Sequence, residues 1–401
     1  MDDVEQTWRW WGPKDIITLS HVCQVGATGI VTALHDIPTG ELWSSEAVAE
    51  RKAIIEGDKS LGLRWSVVES LPIHERIKLG EGDLTALLDT YRQSMRNLAK
   101  HGVQVICYNF MPVLDWARTQ LRAPLAGGAN ALRFNAHEFA AFDCHMLQRK
   151  GAEADYSAEV LDRAKTWFGK ASEDDKRNLL ATIMAGLPGA FDRYDIEGLR
   201  GMLKRYENTD RAKLRENLSR FLSEIIPTAE EVGIRMAIHP DDPPRPLLGL
   251  PRICSSAEDI EFILNAVPSQ ANGLTFCTGS LGASYANDLP AMARRFAPKI
   301  HFAHLRNVAK EQDGSFMEAD HLGGDNDMVG VVKALLAEQK RRRDEGRADW
   351  RIPFRPDHGH EMLDDVGKPT HPGYPAIGRL RGLAEMRGVM TALAAENGYP
   401  V

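Results

Sequence analysis

The chain has 401 residues, of which 43% are apolar, and its formal net charge is −7 at pH 7. That length is too great for one small domain and suits a single large α/β barrel carrying an insertion. An acidic balance without a basic face argues against a nucleic-acid partner, and no apolar run approaches the ~18–20 residues of a membrane helix.

Five cysteines, Cys23, Cys107, Cys144, Cys254 and Cys277, are scattered singly, with no CxxC pair. A disulfide framework is not expected, and a reducing compartment is. The start, Met1 to Glu5, is acidic and lacks an apolar signal core, so the expected location is cytoplasmic. The run Lys340-Arg341-Arg342-Arg343 closes a helical pattern, where it favours the helix dipole and faces water.

In chain order, Trp8-Arg9-Trp10-Trp11-Gly12 comes first and is expected to pack on the body or cover a pocket. Gly29 to Leu34 is the candidate first strand, short and β-branched. A helical stretch over about 44–60 leads to a second strand, Leu63 to Leu71, which ends near Glu69 and His74. Asp83 reads as the N-cap of a helix with Leu84, Leu87, Leu88, Tyr91, Met95 and Leu98 at helical spacing, closed by Gly102. Val103 to Phe110 is the third strand. This β-α-β-α-β rhythm belongs to a barrel or a doubly wound sheet.

The rhythm then breaks. Residues 116–210 read as a large, mostly helical insertion on the barrel mouth, and no fourth strand can be placed there; Ala131 to Phe134 and Ala181 to Ala185 are poor candidates. A helix around Leu214 to Ile225 follows, which Pro227 should break or kink. Ser255 and Glu258 form a capping-box pair opening a helix with Ile260, Ile263, Leu264 and Val267 inward. Further helices are expected near 286–297, 328–345 and from Ile377 to Leu393. The fold expected is therefore one TIM-type (β/α)8 barrel over 1–401, xylose-isomerase-like, with the insertion inside it.

Four short β-prone runs each end in a group able to bind a metal: Ile234 to His239, Gly273 to Cys277, Ile300 to His304, and Ile352 to Asp357. A parallel barrel builds its site this way, one side chain from each strand's carboxyl end. Taken singly, a buried histidine is more often a hydrogen-bonded core residue, a strand cysteine a small apolar filler, and an aspartate after a strand a helix cap. Four in succession at the same end of successive strands point to one divalent ion held by His239, Cys277, His304 and Asp357. The donor set suits zinc or iron(II), and the carboxylate also tolerates manganese. His358 can enter the cavity only if its strand has already ended.

Several blocks together carry a resemblance: Thr7 to Pro13, Gly29 to Ala33, Val67 to Ser70, CYNFMPVLDW over Cys107 to Trp116, Met236 to Pro246 with its HPDDPPRP run, Cys277 to Ser280, His304 to Arg306, Arg355 to His360, and Pro372 to Tyr374. In these the chain resembles the iron/manganese-dependent D-mannonate dehydratases of bacterial hexuronate breakdown, over nearly its whole length. The resemblance implies a TIM-type barrel, bound Mn²⁺ or Fe²⁺, and conversion of D-mannonate to 2-keto-3-deoxy-D-gluconate. It carries the ligand role onto the same four residues and a catalytic role onto His358 and Tyr374. It also implies a homo-oligomer, with a dimer through the insertion favoured.

The chemistry has a reason to use such groups. The C2 proton lies beside a carboxylate, so its removal builds charge that a cation must stabilise, and the C3 hydroxyl leaves only if protonated or metal-bound. His358 and Tyr374 are the expected acid–base pair, with roles open. Arg306, Glu69, His74 and Asn109 are the expected substrate contacts. Elimination is redox-neutral, in keeping with the lack of a convincing dinucleotide fingerprint, so no nicotinamide, flavin or PLP is expected. Two other readings remain: a metal-dependent sugar isomerase of the same barrel class, or a binding protein with a structural metal.

Overall fold

The computed structural model describes residues 4–185 and 194–399. Its strands, in chain order, are β1 (Thr7–Arg9), β2 (Gly29–Thr32), β3 (Arg64–Glu69), β4 (Val105–Tyr108), β5 (Gln120–Pro124), β6 (Asn130–Phe134), β7 (Arg235–Ile238), β8 (Asn272–Cys277), β9 (Ile300–His304), β10 (Asn307–Lys310), β11 (Phe316–Ala319) and β12 (Phe354–Arg355). Eight of them form one parallel sheet in the order β1-β2-β3-β4-β7-β8-β9-β12. The ring closes where Gln6 bridges Phe354, with the Phe354 N–H donating to the Glu5 carbonyl at 3.0 Å and the Thr7 hydroxyl to the Phe354 carbonyl at 2.8 Å. Val31, Val67, Val105, Cys107, Ala237 and Phe302 form a separate buried cluster inside the ring. These are compact side chains from facing strands, as the interior of an eight-stranded barrel requires. The larger core lies between the strands and the surrounding helices.

The first barrel strand is the aromatic N-terminus. Thr7–Arg9 pairs in parallel with Gly29–Thr32, so the segment expected to cover the body is part of the barrel wall. The strand sought inside 116–210 is therefore not needed: the eight are completed at the start of the chain, and the insertion follows the fourth barrel strand. Ala131 to Phe134 does lie in a strand, β6, but outside the barrel. Ala181 to Ile183 belongs to the helix Glu173–Ile183. Residues 186–193 of the insertion lie outside the described residues.

The insertion is not helical throughout. It opens with the β5–β6 hairpin, which joins the β10–β11 hairpin in a four-stranded antiparallel sheet of order β10-β11-β6-β5. Its helices pack around a second apolar cluster that includes Phe134, Phe139, Phe142, Leu179 and Leu199. Pro227 does not break its helix, which runs unbroken from Arg211 to Val232. Two caps fall one residue from their expected places, on Leu84 and Ser256; Asp83 still accepts the Thr85 N–H at 2.9 Å. No described helix is long and apolar enough to cross a membrane.

Candidate metal centre and the cavity around it

Three barrel strands end on the expected donors. β8 and β9 end on Cys277 and His304 themselves, and His239 is the residue after β7. One ligand atom from each of these three residues lies within 4.8 Å of the other two. Strand β12 is only two residues long. Asp357, two positions beyond it, takes a left-handed backbone (φ 59°), a conformation that aspartate tolerates better than most residues. The chain turns there, so that Asp357 and His358 both line one cavity instead of facing opposite ways. The Asp357 carboxylate lies 3.8 Å from Cys277 Sγ and 4.0 Å from His304 Nδ1.

The contacts around this point bring metal-binding nitrogens face to face. His239 Nδ1–H donates to the Pro240 carbonyl at 2.7 Å, which places the ring's lone pair on Nε2. Burial lowers the pKa of this imidazole and keeps it neutral. His304 Nε2 lies 3.5 Å from the Glu69 carboxylate, and its Nδ1 lies 3.2 Å from His239 Nε2. Two imidazole nitrogens at that distance, with a sulfur and a carboxylate beside them, fit a divalent transition ion. Asp357 is meanwhile held by Arg355 Nη1 at 2.5 Å and Arg306 Nη1 at 3.2 Å. Burial alone would raise its pKa, but the charges of Arg355, His358 and Arg306 outweigh that and hold it well below the usual range.

A cavity opens beside these donors. Glu69, Asn109, Arg306, Arg355, His358 and Tyr374 line it, together with Asp115, Trp116 and Asp242. His74 does not. It caps the short helix Glu75–Leu79, accepting the Arg76 N–H at 3.1 Å, and lines a different, smaller pocket. The chain turns outward between Glu69 and His74, which corrects the expectation that both reach the mouth. Glu69 faces the cavity with both oxygens engaged, one to Arg355 Nη2 at 2.9 Å and the other to Arg355 Nε at 3.1 Å and Arg9 Nη1 at 3.0 Å.

His358 and Tyr374 meet edge to face with ring centroids 4.8 Å apart, and Trp11 packs on the far side of Tyr374 at 5.0 Å. Burial pushes the Tyr374 phenol up, so it keeps its proton. Glu318, from β11, reaches into the barrel mouth and accepts a hydrogen bond from His358 Nδ1 at 2.6 Å. An ionised carboxylate only accepts, so Nδ1 carries the hydrogen in this contact, and in the neutral ring the lone pair is then on Nε2. Burial would raise the Glu318 pKa, but the hydrogen bond from His358 and the charges of Arg306 and Arg118 lower it.

Sequence reasoning singled out Glu69, Arg306 and Asp357 in this lining but missed Asp115 and Arg355. Four buried carboxylates, Glu69, Asp242, Glu318 and Asp357, interlock with four buried guanidiniums, Arg9, Arg118, Arg306 and Arg355. Asp242 takes Arg118 at 2.7 Å and Arg306 at 2.6 Å, which fixes Arg306 across the mouth. Asp115 stands outside this balance, and burial raises its carboxyl to about 6. Of the missed residues, Asp115 lies in the specific sequence block CYNFMPVLDW. Glu318 lies in an acidic hairpin that carried no signal.

Comparison with known proteins points the same way. The model of the D-mannonate dehydratase (UxuA) family matches residues 4–398. The chain is 57% identical to a mannonate dehydratase of Chromohalobacter salexigens, over 97% of this chain and 99% of that one. It is 53% identical to one of Marinomonas sp., with the same coverage. The crystal structure of mannonate dehydratase from Streptococcus suis serotype 2 superposes with a TM-score of 0.77 at 33% identity, covering 99% of this chain and 96% of that one.

Proposed function

The chain belongs to the D-mannonate dehydratase family, and from that premise we propose how its own residues remove water from D-mannonate to give 2-keto-3-deoxy-D-gluconate. The observation that carries the reading is the convergence of His239, Cys277 and His304, with the Asp357 carboxylate beside two of them, next to a cavity lined by a histidine–tyrosine pair.

His239, Cys277, His304 and Asp357 hold one Mn²⁺ or Fe²⁺. Bound there, the ion supplies Lewis-acid stabilisation of the charge that develops beside the substrate carboxylate. Arg306 binds that carboxylate, and Asn109 takes a hydroxyl. His358 receives the C2 proton on Nε2, the nitrogen that Glu318 leaves unprotonated. Tyr374, kept as a phenol by burial, gives its proton to the departing C3 hydroxyl. The C2–H and C3–O bonds break, the C2–C3 double bond forms, and the resulting enol tautomerises to the 2-keto acid. Electrons balance within the substrate, so the reaction needs no nicotinamide, flavin or PLP. Glu69, with both oxygens in salt bridges, braces Arg355 and His304.

The sugar-isomerase alternative is not favoured by the family match. A dehydration assay on D-mannonate tests the reading, following 2-keto acid formation with manganese or iron(II) supplied. His358→Ala and Tyr374→Phe, each with full metal content, should lose turnover; near-normal kcat in both overturns the pair. The family reading also implies a homo-oligomer, a dimer through the 116–210 segment, which sedimentation analysis tests.

A further inference from the structure

The loop after β4 brings into the cavity a carboxyl that none of the roles above uses. Asp115 is 2% exposed and lines the cavity beside Asn109, Met111 and Trp116. Its Oδ1 accepts the Trp116 N–H at 2.5 Å, and its Oδ2 has no hydrogen-bond partner among the described residues. The nearby Lys78 is committed to Glu75 at 2.5 Å and to the Met111 carbonyl at 2.8 Å. A buried carboxylate oxygen without a donor is costly, and most such atoms in folded proteins are paired. In a ligand cavity, a substrate hydroxyl can supply the missing donor.

Position narrows which part of the substrate this is. In the ring, β4 and β12 hold the fourth and eighth places, so they lie on opposite sides of the mouth. Arg355, Asp357 and His358 rise from the β12 side, and Arg306 from β9 next to it. Asp115 stands seven residues beyond β4, where the chain lies against the segment after β7: Trp116 bridges Asp242, and Ala117 N–H donates to the Asp242 carbonyl. An anionic substrate carboxylate is drawn to the arginines and repelled by Asp115, so the polyol end points toward Asp115. Carbons 2 and 3 are taken up by the groups that carry the reaction, which leaves the hydroxyls on C4, C5 and C6.

We propose that Asp115 Oδ2 accepts a hydrogen bond from one of these three hydroxyls, making Asp115 a specificity-determining contact for the tail of the sugar acid. This rests on the cavity being the mannonate site. The geometry suits the task, because Trp116 N–H fixes the carboxylate through one oxygen and leaves the other to select a donor. A site built to pair with a hydroxyl rejects an analogue lacking it far more strongly than an apolar pocket would.

The test is a cycle between protein and substrate. Wild type, Asp115→Ala and Asp115→Asn are compared by kcat/KM on D-mannonate and on its 4-deoxy, 5-deoxy and 6-deoxy analogues, at matched metal content. Asp115→Asn keeps the shape of the side chain and serves where the alanine variant does not fold. Asp115→Ala should lose about 10- to 100-fold on D-mannonate and on two of the analogues, and less than about threefold on the third. That third analogue lacks the hydroxyl Asp115 binds, and Asp115→Asn should show the same pattern with smaller losses. Equal losses on all four substrates overturn the proposal, because they mean Oδ2 serves the fold. So does a loss under threefold on D-mannonate itself. Failure of the wild-type protein to dehydrate D-mannonate overturns instead the functional reading beneath it.

Discussion

Glu318→Leu should silence the enzyme through the tautomer of His358. Three donors converge on one oxygen of Glu318: His358 Nδ1 at 2.6 Å, Arg118 Nη2 at 3.2 Å and Arg306 Nη1 at 3.4 Å. Leucine removes the only acceptor His358 Nδ1 has among the described residues. Arg306 Nη1, already 3.0 Å from the same nitrogen, then becomes its donor, so the ring hydrogen moves to Nε2 and the base is lost. A hydrogen bond to a charged group contributes about 1.5–3 kcal/mol. Losing one and gaining the opposite one shifts the tautomer balance by about 3–6 kcal/mol, a roughly 10²- to 10⁴-fold fall in the active form. Glu318→Gln should do much less. The two guanidiniums select the amide oxygen for the position of the original acceptor, and there it still receives Nδ1–H; loss of charge alone costs about 1 kcal/mol, or five- to tenfold. Both arginines keep Asp242, so the fold should survive either change. The assay is kcat on D-mannonate with metal content measured on the same samples. A leucine variant within tenfold of wild type, or a glutamine variant as damaged as the leucine one, would refute the reasoning.

Chelation should remove activity without unfolding the barrel, because the eight strands close through backbone hydrogen bonds that do not depend on the donor side chains; circular dichroism should stay unchanged and manganese or iron(II) should restore turnover. Cys277→Ala should lower metal content in the same experiment. Gly279→Ala should cost activity well beyond its size, since a Cβ there would stand 1.8 Å from Arg306 Nε; unchanged KM and kcat would show that Arg306 can move without consequence. For pH, the Asp115 carboxyl is raised from 3.8 to about 6, so the folded state binds its proton more tightly than the unfolded chain. Its contribution to stability is complete below the unfolded value and is lost as pH rises through 6. In metal-free protein, urea unfolding should show Asp115→Asn gaining about 1.4 kcal/mol relative to wild type between pH 5 and pH 7.5. A difference that does not vary with pH contradicts the assignment.

The regularly repeating part of the chain was readable from its residues. Strands such as Ile234 to Ile238 and Ile300 to His304 are short, apolar on both faces, and followed by a ligand-type residue, because a parallel barrel buries its strands on both sides and exposes function only at their ends. Thr7–Arg9 escaped that pattern: at three residues it shows no periodicity, and its strand character comes from Gly29–Thr32 and Phe354 in the closing ring. His74 was misplaced for a related reason, since the end of a strand does not say which way the next five residues turn.

Local sequence alone determined the helix and strand alternation, the donor at each strand end, and the chemistry such donors can support. These depend on side-chain type and spacing along a few residues. Only the tertiary structure decided that Glu318 meets His358 Nδ1, that Arg306 is pinned by Asp242, and that Asp115 faces the cavity with an oxygen to spare. Those are contacts between segments 40 or more positions apart, or facts of burial. They arise when the hairpin sheet packs over the mouth, and no stretch of sequence encodes such a distance by itself.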